Sequence, residues 1–384
     1  MTNSVRQFSK TGSNRRWFLK KSAFAASAVT LGAGLFNKRL AAFEGKDKDK
    51  DKEEKSGSLT RGDAALLRFA AAAEILETDF WVQYNELGGV QDSEVPGGTG
   101  NVPYTNALAK LDSDMAQYIH DNTDDEFTHQ NFLNAYLVSK GADPVNLDKF
   151  RTLKGSSATG SSGILRLTNL MELTIDTSWW TRYRSDSKNP DFGDTFPQAV
   201  PTLAVGKHTA IPRTDADTSD PTFLQAIANT AGFHFPTIEQ GGTTLYPAMA
   251  QRASSVEVLR ILISIGPTET MHFQTWSDKA GNAPPSTKPI IDPVTKVSVF
   301  FPDFSSAGED LKANLIMPEP CPFISKDLPI CSVIRPTETK GIAMGVVQFL
   351  TAMGLFNGQS QEFFAVLTDL AEDADEARRE HDHD

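Results

Sequence analysis

The chain has 384 residues, of which 39% are apolar, enough to bury a sizeable core and to exclude a wholly disordered protein. Lysine and arginine number 37 against 49 aspartates and glutamates, and this net charge of −12 argues against nucleic acid as the main partner. With two cysteines, Cys321 and Cys331, neither a disulfide scaffold nor a thiolate metal cluster can form the basis of the fold.

Residues 1–45 have the features of an export signal. Arg15 and Arg16 precede Trp17-Phe18-Leu19-Lys20 and an apolar run over about residues 23–36, which is too short to span a bilayer. This pattern resembles a twin-arginine signal peptide, and it predicts a periplasmic, extracellular or cell-surface protein without a stable membrane span after signal removal. The alternative is a basic amphipathic N-terminus of the mature protein. Residues 46–60 form a charged linker, because alternating lysine and aspartate cannot pack a core.

Apolar residues at helical spacing predict four helices within residues 61–277, at about 63–87, 106–140, 164–184 and 248–276. The second region is either one helix or two. Residues 188–245 are rich in proline, glycine and threonine and are predicted to be a loop-rich insertion. Residues 278–384 form an extension with a short strand near 297–301 and terminal helices over about 342–379. The predicted fold class is mainly α, a four-helix bundle with long loop insertions and a Pro-rich, partly helical C-terminal extension.

Each predicted bundle helix carries an acid where its apolar face should be, and two of these acids precede a histidine by three residues. Residues three apart lie on one side of a helix, and a buried carboxylate is costly unless it is paired or bound to a cation. Carboxylates together with imidazoles suit iron or manganese. We therefore expect a site for two iron or two manganese ions, with the ligands Glu74, Glu126, His129, Glu172, Glu269 and His272.

The chain order of one Glu, a Glu-x-x-His, one Glu and a second Glu-x-x-His resembles the ferritin-like di-metal carboxylate proteins. Residues 67–81 and 126–133 resemble the first two helices of exported ferritin-like proteins that include plant desiccation-related proteins. The resemblance implies a metal-binding protein that oxidises metal or removes oxygen or peroxide under stress. It equally implies a non-catalytic, stress-protective or surface structural protein with a degenerate site, so enzymatic activity stays open.

Two local features complicate this interpretation. Pro267 stands just before Glu269 and predicts that the fourth helix bends or restarts there. Thr123 and Glu126 match a capping box, in which Glu126 would cap a helix instead of binding metal.

Four further residues have open roles. Glu77 and Asp176 lie near one turn from Glu74 and Glu172, and each either supports the metal ligands or faces solvent. Cys321 and Cys331 flank a Pro-rich loop, and in an oxidising compartment they either close it with a disulfide or stay thiols.

Overall fold

The computed structural model describes residues 58–312, 318–334 and 341–379, so the predicted export signal and most of the charged linker lie outside the described residues. The prediction of a mainly helical fold is confirmed. The helices of the described part are α1 Arg61–Gly88, α2 Val102–Leu108, α3 Met115–Ser139, α4 Ser178–Arg182, α5 Pro221–Ala250, α6 Val256–Ala280, α7 Ile342–Met353 and α8 Gln361–Glu376. Two short antiparallel strand pairs follow α6, namely β1 Ile290–Ile291 with β2 Ser298–Val299, and β3 Pro320–Cys321 with β4 Cys331–Ser332.

Helices α1, α3, α5 and α6 form the bundle, in which α1 packs on α3 and α5 packs on α6. Aromatic rings fill its interior: Trp81 of α1 stacks on Trp276 of α6 at 5.2 Å between ring centroids and lies 4.9 Å from Phe235 of α5. All three rings are buried. Large aromatic side chains contribute much of a core's apolar area, so this cluster ties three of the four helices together.

The predicted first helix is confirmed, and its first turn also fixes the start of α6. Thr60 caps α1 by accepting a hydrogen bond from the backbone N–H of Asp63. The two carboxylate oxygens of Asp63 accept hydrogen bonds from the backbone N–H groups of Ser254 and Ser255, each at 2.9 Å. These contacts hold the beginning of α6 against the beginning of α1.

The predicted third helix, at about residues 164–184, is wrong. Apart from the short helix α4, this part of the chain belongs to a long crossover without regular helix between α3 and α5. The apolar residues in this part of the chain, among them Leu170 and Leu173, are buried in irregular backbone, and Leu173 pairs with His208 in an isolated bridge. Tertiary burial can give an irregular segment the same apolar spacing that a helix shows.

The third bundle helix is α5, most of which had been predicted to be loop. It begins at Pro221 behind the capping residue Asp220 and runs through Pro236 and Pro247. The predicted insertion over residues 188–245 is therefore irregular only as far as residue 220. Proline inside a helix removes a hydrogen bond and usually breaks it, but nearly all of α5 is buried, and its packing keeps it helical.

The long crossover is held against α1 by buried polar contacts. One carboxylate oxygen of Asp79 accepts hydrogen bonds from the backbone N–H groups of Leu167 and Thr168, at 3.0 and 2.9 Å. Arg166 forms a buried ion pair with Glu86, about two helical turns further along α1. A buried pair of this kind costs several kcal/mol to break at one partner, so the crossover is firmly placed.

The fourth bundle helix is continuous through Pro267, and the predicted restart at this proline is wrong. This helix begins later than the predicted residue 248: α5 ends at Ala250, and α6 begins at Val256. The glycine that precedes this proline has a packing role. A Cβ atom at Gly266 would lie 2.7 Å from the Cβ of Tyr246, so glycine permits the close approach of α5 and α6.

The predicted terminal helices are confirmed as α7 and α8, which pack on α5 and α1 respectively. Asp375 of α8 accepts hydrogen bonds from the backbone N–H groups of Ala343 and Met344 at the start of α7. Arg61, at the start of α1, lies 3.4 Å from Asp373 of α8. Among the described residues, no helix has both the length and the apolar character needed to cross a membrane.

Candidate metal centre

Two groups of buried acids and histidines lie side by side in the middle of the bundle. The first consists of Glu74, Glu126, His129 and Glu269, and the second of Glu126, Glu239, Glu269 and His272. Within each group, one donor atom per residue lies within 4.8 Å of all the others. Glu126 and Glu269 belong to both groups, so this arrangement provides two adjacent metal positions with two shared carboxylates.

The histidines face the carboxylates directly. Nδ1 of His129 lies 3.1 Å from Glu126 Oε2, 3.4 Å from Glu74 Oε2 and 3.5 Å from Glu269 Oε1. Nδ1 of His272 lies 3.4 Å from Glu126 Oε1 and 3.3 Å from Glu239 Oε2.

Several buried donor atoms in these groups have no hydrogen-bond partner among the described residues. They are Glu74 Oε2, both carboxylate oxygens of Glu239, both of Glu269, and Nδ1 of His272. All three glutamate side chains are inaccessible to solvent. Buried polar atoms without partners are costly, and two cations placed among them would remove that cost. The residues present therefore fit a two-metal centre.

Neighbouring side chains fix the orientation of the ligands. Asn122 donates a hydrogen bond to Glu126 Oε1 at 2.8 Å and accepts one from the indole N–H of Trp276 at 2.6 Å. Asp125 Oδ2 lies 2.9 Å from Nε2 of His272, which orients that imidazole with Nδ1 toward the carboxylates. Such carboxylate–histidine contacts are the usual support of a metal-binding imidazole.

Tyr246 and Gly242 of α5 also shape the site. The Tyr246 hydroxyl donates a hydrogen bond to Glu74 Oε1, and both groups are buried. Gly242 leaves room for Glu269, because a Cβ atom there would lie 2.8 Å from Glu269 Oε2. A glycine at position 242 is thus required by Glu269, one of the two carboxylates that both groups share.

Burial and crowding shift the pKa values of these residues in opposite directions. Burial, with the nearby charge of Glu126, raises the pKa of Glu74 to about 7, and it raises that of Glu269 well above its usual range. Burial also raises the pKa of Glu126, but the close imidazoles of His129 and His272 outweigh it and leave that pKa low. Burial lowers the pKa of His129, whereas the close carboxylates of Glu126 and Glu74 raise it to about 10. Without metal, the cluster therefore retains protons that cations would displace.

Five of the six predicted ligands lie in this cluster, and the sixth does not. Glu172 lies in the crossover with its side chain 48% exposed, 3.1 Å from Lys207 Nζ. Asp176 is likewise outside the site: it accepts hydrogen bonds from Gln198 Nε2 at 2.7 Å and from the backbone N–H of Ser178 at 2.8 Å. Glu172 is therefore not part of the cluster, because the segment that carries it is not a bundle helix, and of the two roles left open for Asp176 the support of metal ligands is not seen.

Glu77 is half-buried beside the cluster, where burial and the charges of Glu126 and Glu74 raise its pKa. The capping-box interpretation of Thr123 and Glu126 is wrong, because both lie inside α3 and the Thr123 hydroxyl donates to the carbonyl of Ile119 at 2.7 Å.

The sequence analysis does not identify Glu239, the carboxylate that α5 contributes to the cluster. A signal for α5 was present: the Asp220-Pro221 start is a strong N-terminal pattern, and Phe223, Leu224 and Ile227 follow at helical spacing.

The fold and the cluster together define the class of four-helix carboxylate proteins that can hold two metal ions between their helices. The family model described as a ferritin-like domain matches residues 62–281, and the chain belongs to this family. The match covers α1 to α6 and includes every residue of the cluster. Neither the search of curated proteins nor the search of solved structures found a match.

Proposed function

We propose that this protein is an exported metalloprotein that binds two iron or two manganese ions in its bundle and reacts them with oxygen or peroxide. One observation carries the proposal: two four-residue donor groups share Glu126 and Glu269, and five of their buried carboxylate oxygens, on Glu74, Glu239 and Glu269, have no hydrogen-bond partner among the described residues. A non-catalytic scaffold would have no physical reason to keep such oxygens together in its core.

The donor set matches the charge and hardness of these ions. Four carboxylates and two neutral imidazoles balance two divalent cations, and oxygen donors with imidazole favour iron or manganese over softer metals. When bound, such ions supply the electrons that oxygen or peroxide accepts as the metal is oxidised. The chain would hold the ions and fix the ligands through Asn122 and Asp125, and Trp276 in turn holds Asn122 by a hydrogen bond.

Export through the twin-arginine route is part of the proposal. Arg15-Arg16 and the apolar run behind them support it, and this route carries folded proteins, which suits a site assembled from four helices. Replacing both arginines with lysine should retain the protein in the cytoplasm, as measured by cell fractionation. Unchanged export of that variant would contradict this part of the proposal.

Metal content tests the site with a matched pair of variants. We expect about two iron or manganese ions per chain in the full-length wild type and in Glu172→Gln, and a clear loss in Glu239→Gln, measured by elemental analysis. Metal-loaded wild type should then consume oxygen or peroxide. Only traces of metal in a folded wild-type chain would refute the proposal and favour a non-catalytic protective or structural protein on this scaffold.

A further inference from the structure

A groove of about 680 Å³ runs between α3 and α6 and ends at the metal centre. His129, which contacts three of the cluster carboxylates, is also part of the groove wall. Polar contacts join the two helices on either side of this gap: Asp125 contacts His272 at one end, and Tyr136 contacts Glu257 at the other. The groove is within the size range of small-molecule sites.

The wall of the groove between these ends is mainly apolar. Ile261 and Ile265 of α6 form its floor and are both less than 10% exposed. Phe132 of α3 is 52% exposed and stacks on Tyr136 with 6.3 Å between ring centroids. An apolar molecule lying here would cover an aromatic ring that now faces solvent, which favours binding by about 25 cal/mol per Å² of buried apolar surface.

Arg260 supplies a positive charge at the end of the groove away from the metal centre. It is exposed, lines the groove, and its guanidinium has no hydrogen bond or ion pair with the described residues. The acid of the groove wall, Glu257, is instead bound by Lys140 Nζ at 2.6 Å and by the Tyr136 hydroxyl at 2.9 Å. Arg260 is therefore available to an anionic group of a ligand.

The spacing along the helices fixes how such a ligand would lie. The contact between Tyr136 and Glu257 places Arg260 near the level of Tyr136, seven residues from His129 on α3. Seven residues of helix span about 10 Å. A ligand with its anionic group at Arg260 would therefore extend its apolar body over Ile261 and Ile265 toward His129.

We propose that this groove binds an apolar organic carboxylate, with the carboxylate at Arg260 and the far end of the apolar body at the metal centre. As the substrate site of that centre it rests on the proposed function, whereas binding itself does not require metal. The ligand would match both features of the groove, which are an apolar wall about 10 Å long and, at its outer end, a guanidinium without an acidic partner among the described residues.

Calorimetric titration of decanoate into the full metal-free chain tests the binding. We expect one binding site, weakened about tenfold or more in Arg260→Gln, whereas neutral decanol should bind wild type and Arg260→Gln alike. Ser264→Trp, which fills the groove from an exposed position, should weaken both ligands, and Ile263→Trp, exposed on the same helix outside the groove, should weaken neither. Absence of decanoate binding to wild type, or unchanged binding in Arg260→Gln, would overturn the proposal.

The orientation of the ligand provides a second test. In chains loaded with manganese, the NMR signal of the terminal methyl carbon of decanoate should broaden more than that of the carbon beside the carboxylate, relative to zinc-loaded chains. Equal or opposite broadening would overturn the proposed orientation. Metal content of the same samples separates the two proposals: decanoate binding to a chain that takes up no metal refutes the proposed function alone, and metal uptake without decanoate binding refutes the groove alone.

Discussion

Replacing Gly242 with alanine tests whether the metal centre depends on the close contact between α5 and α6. A Cβ atom at this position would lie 2.8 Å from Oε2, 2.9 Å from Cγ and 3.1 Å from Cβ of Glu269. Carbon atoms in comfortable contact are about 3.5 Å apart or more, so the Glu269 side chain would have to move by about 0.6 Å. Metal–ligand distances tolerate only about 0.2 Å. We therefore expect Gly242→Ala to weaken metal binding at least tenfold, because Glu269 belongs to both donor groups.

The adjacent glycine provides the control. A Cβ atom at Gly241 has no neighbour within 4 Å, so Gly241→Ala should keep wild-type metal affinity and gain up to about 1 kcal/mol of helix stability. Metal affinity is measured by titration with elemental analysis, and the free energy of unfolding by urea denaturation. Wild-type affinity in a folded Gly242→Ala, or equal losses in both variants, would refute the reasoning.

Three further predictions concern protons, ligand orientation and the cysteines. Because the folded-state pKa of Glu74 is about 7, above its ordinary value of 4.5, the metal-free chain should lose stability as the pH rises through that interval. Manganese should therefore raise the Tm more at about pH 8 than at about pH 5, and an equal rise would contradict this. Asp125→Ala should weaken metal binding by about 10- to 100-fold because His272 loses its acceptor, and unchanged affinity would show that the contact is not needed. Cys321 and Cys331 are both thiols in the structure, but they lie opposite each other in the β3–β4 pair. Mass spectrometry of the exported protein should therefore show a loss of two thiol hydrogens, and intact thiols would exclude the disulfide.

The sequence alone predicts the parts of the site that depend on local spacing. Glu126 and His129, like Glu269 and His272, lie on one helix face whenever the segment is helical, and both segments are. The position of Glu74 on the inner face of α1 is equally predictable, because the sequence of α1 has a clear start, a clear stop and an apolar face.

The third helix could not be assigned from local pattern because its stability comes from its neighbours. Pro236 and the Gly241-Gly242 pair lower the intrinsic helix preference of α5 at its centre, and each is tolerated there because the helix is buried on nearly every side. Gly242 leaves space for Glu269, which belongs to another helix. The need for glycine at this position therefore cannot be predicted from the local sequence of α5. The prediction for Glu172 shows the opposite error, a helix predicted where none forms. The buried apolar residues around Glu172 have the spacing of a helical face, but they lie in an irregular segment.

The packing of α8 on α1 has a consequence for the order in which the chain is made. Roughly 270 residues separate the end of α1 from the start of α8, which takes about 15–55 s to synthesise at ordinary ribosomal rates. Throughout that interval the part of α1 that packs on α8 has no partner, although α3, α5 and α6 emerge earlier and can pack around Glu74. The contact between α1 and α8 therefore forms after the four bundle helices have left the ribosome, as the last step in completing the surface of α1.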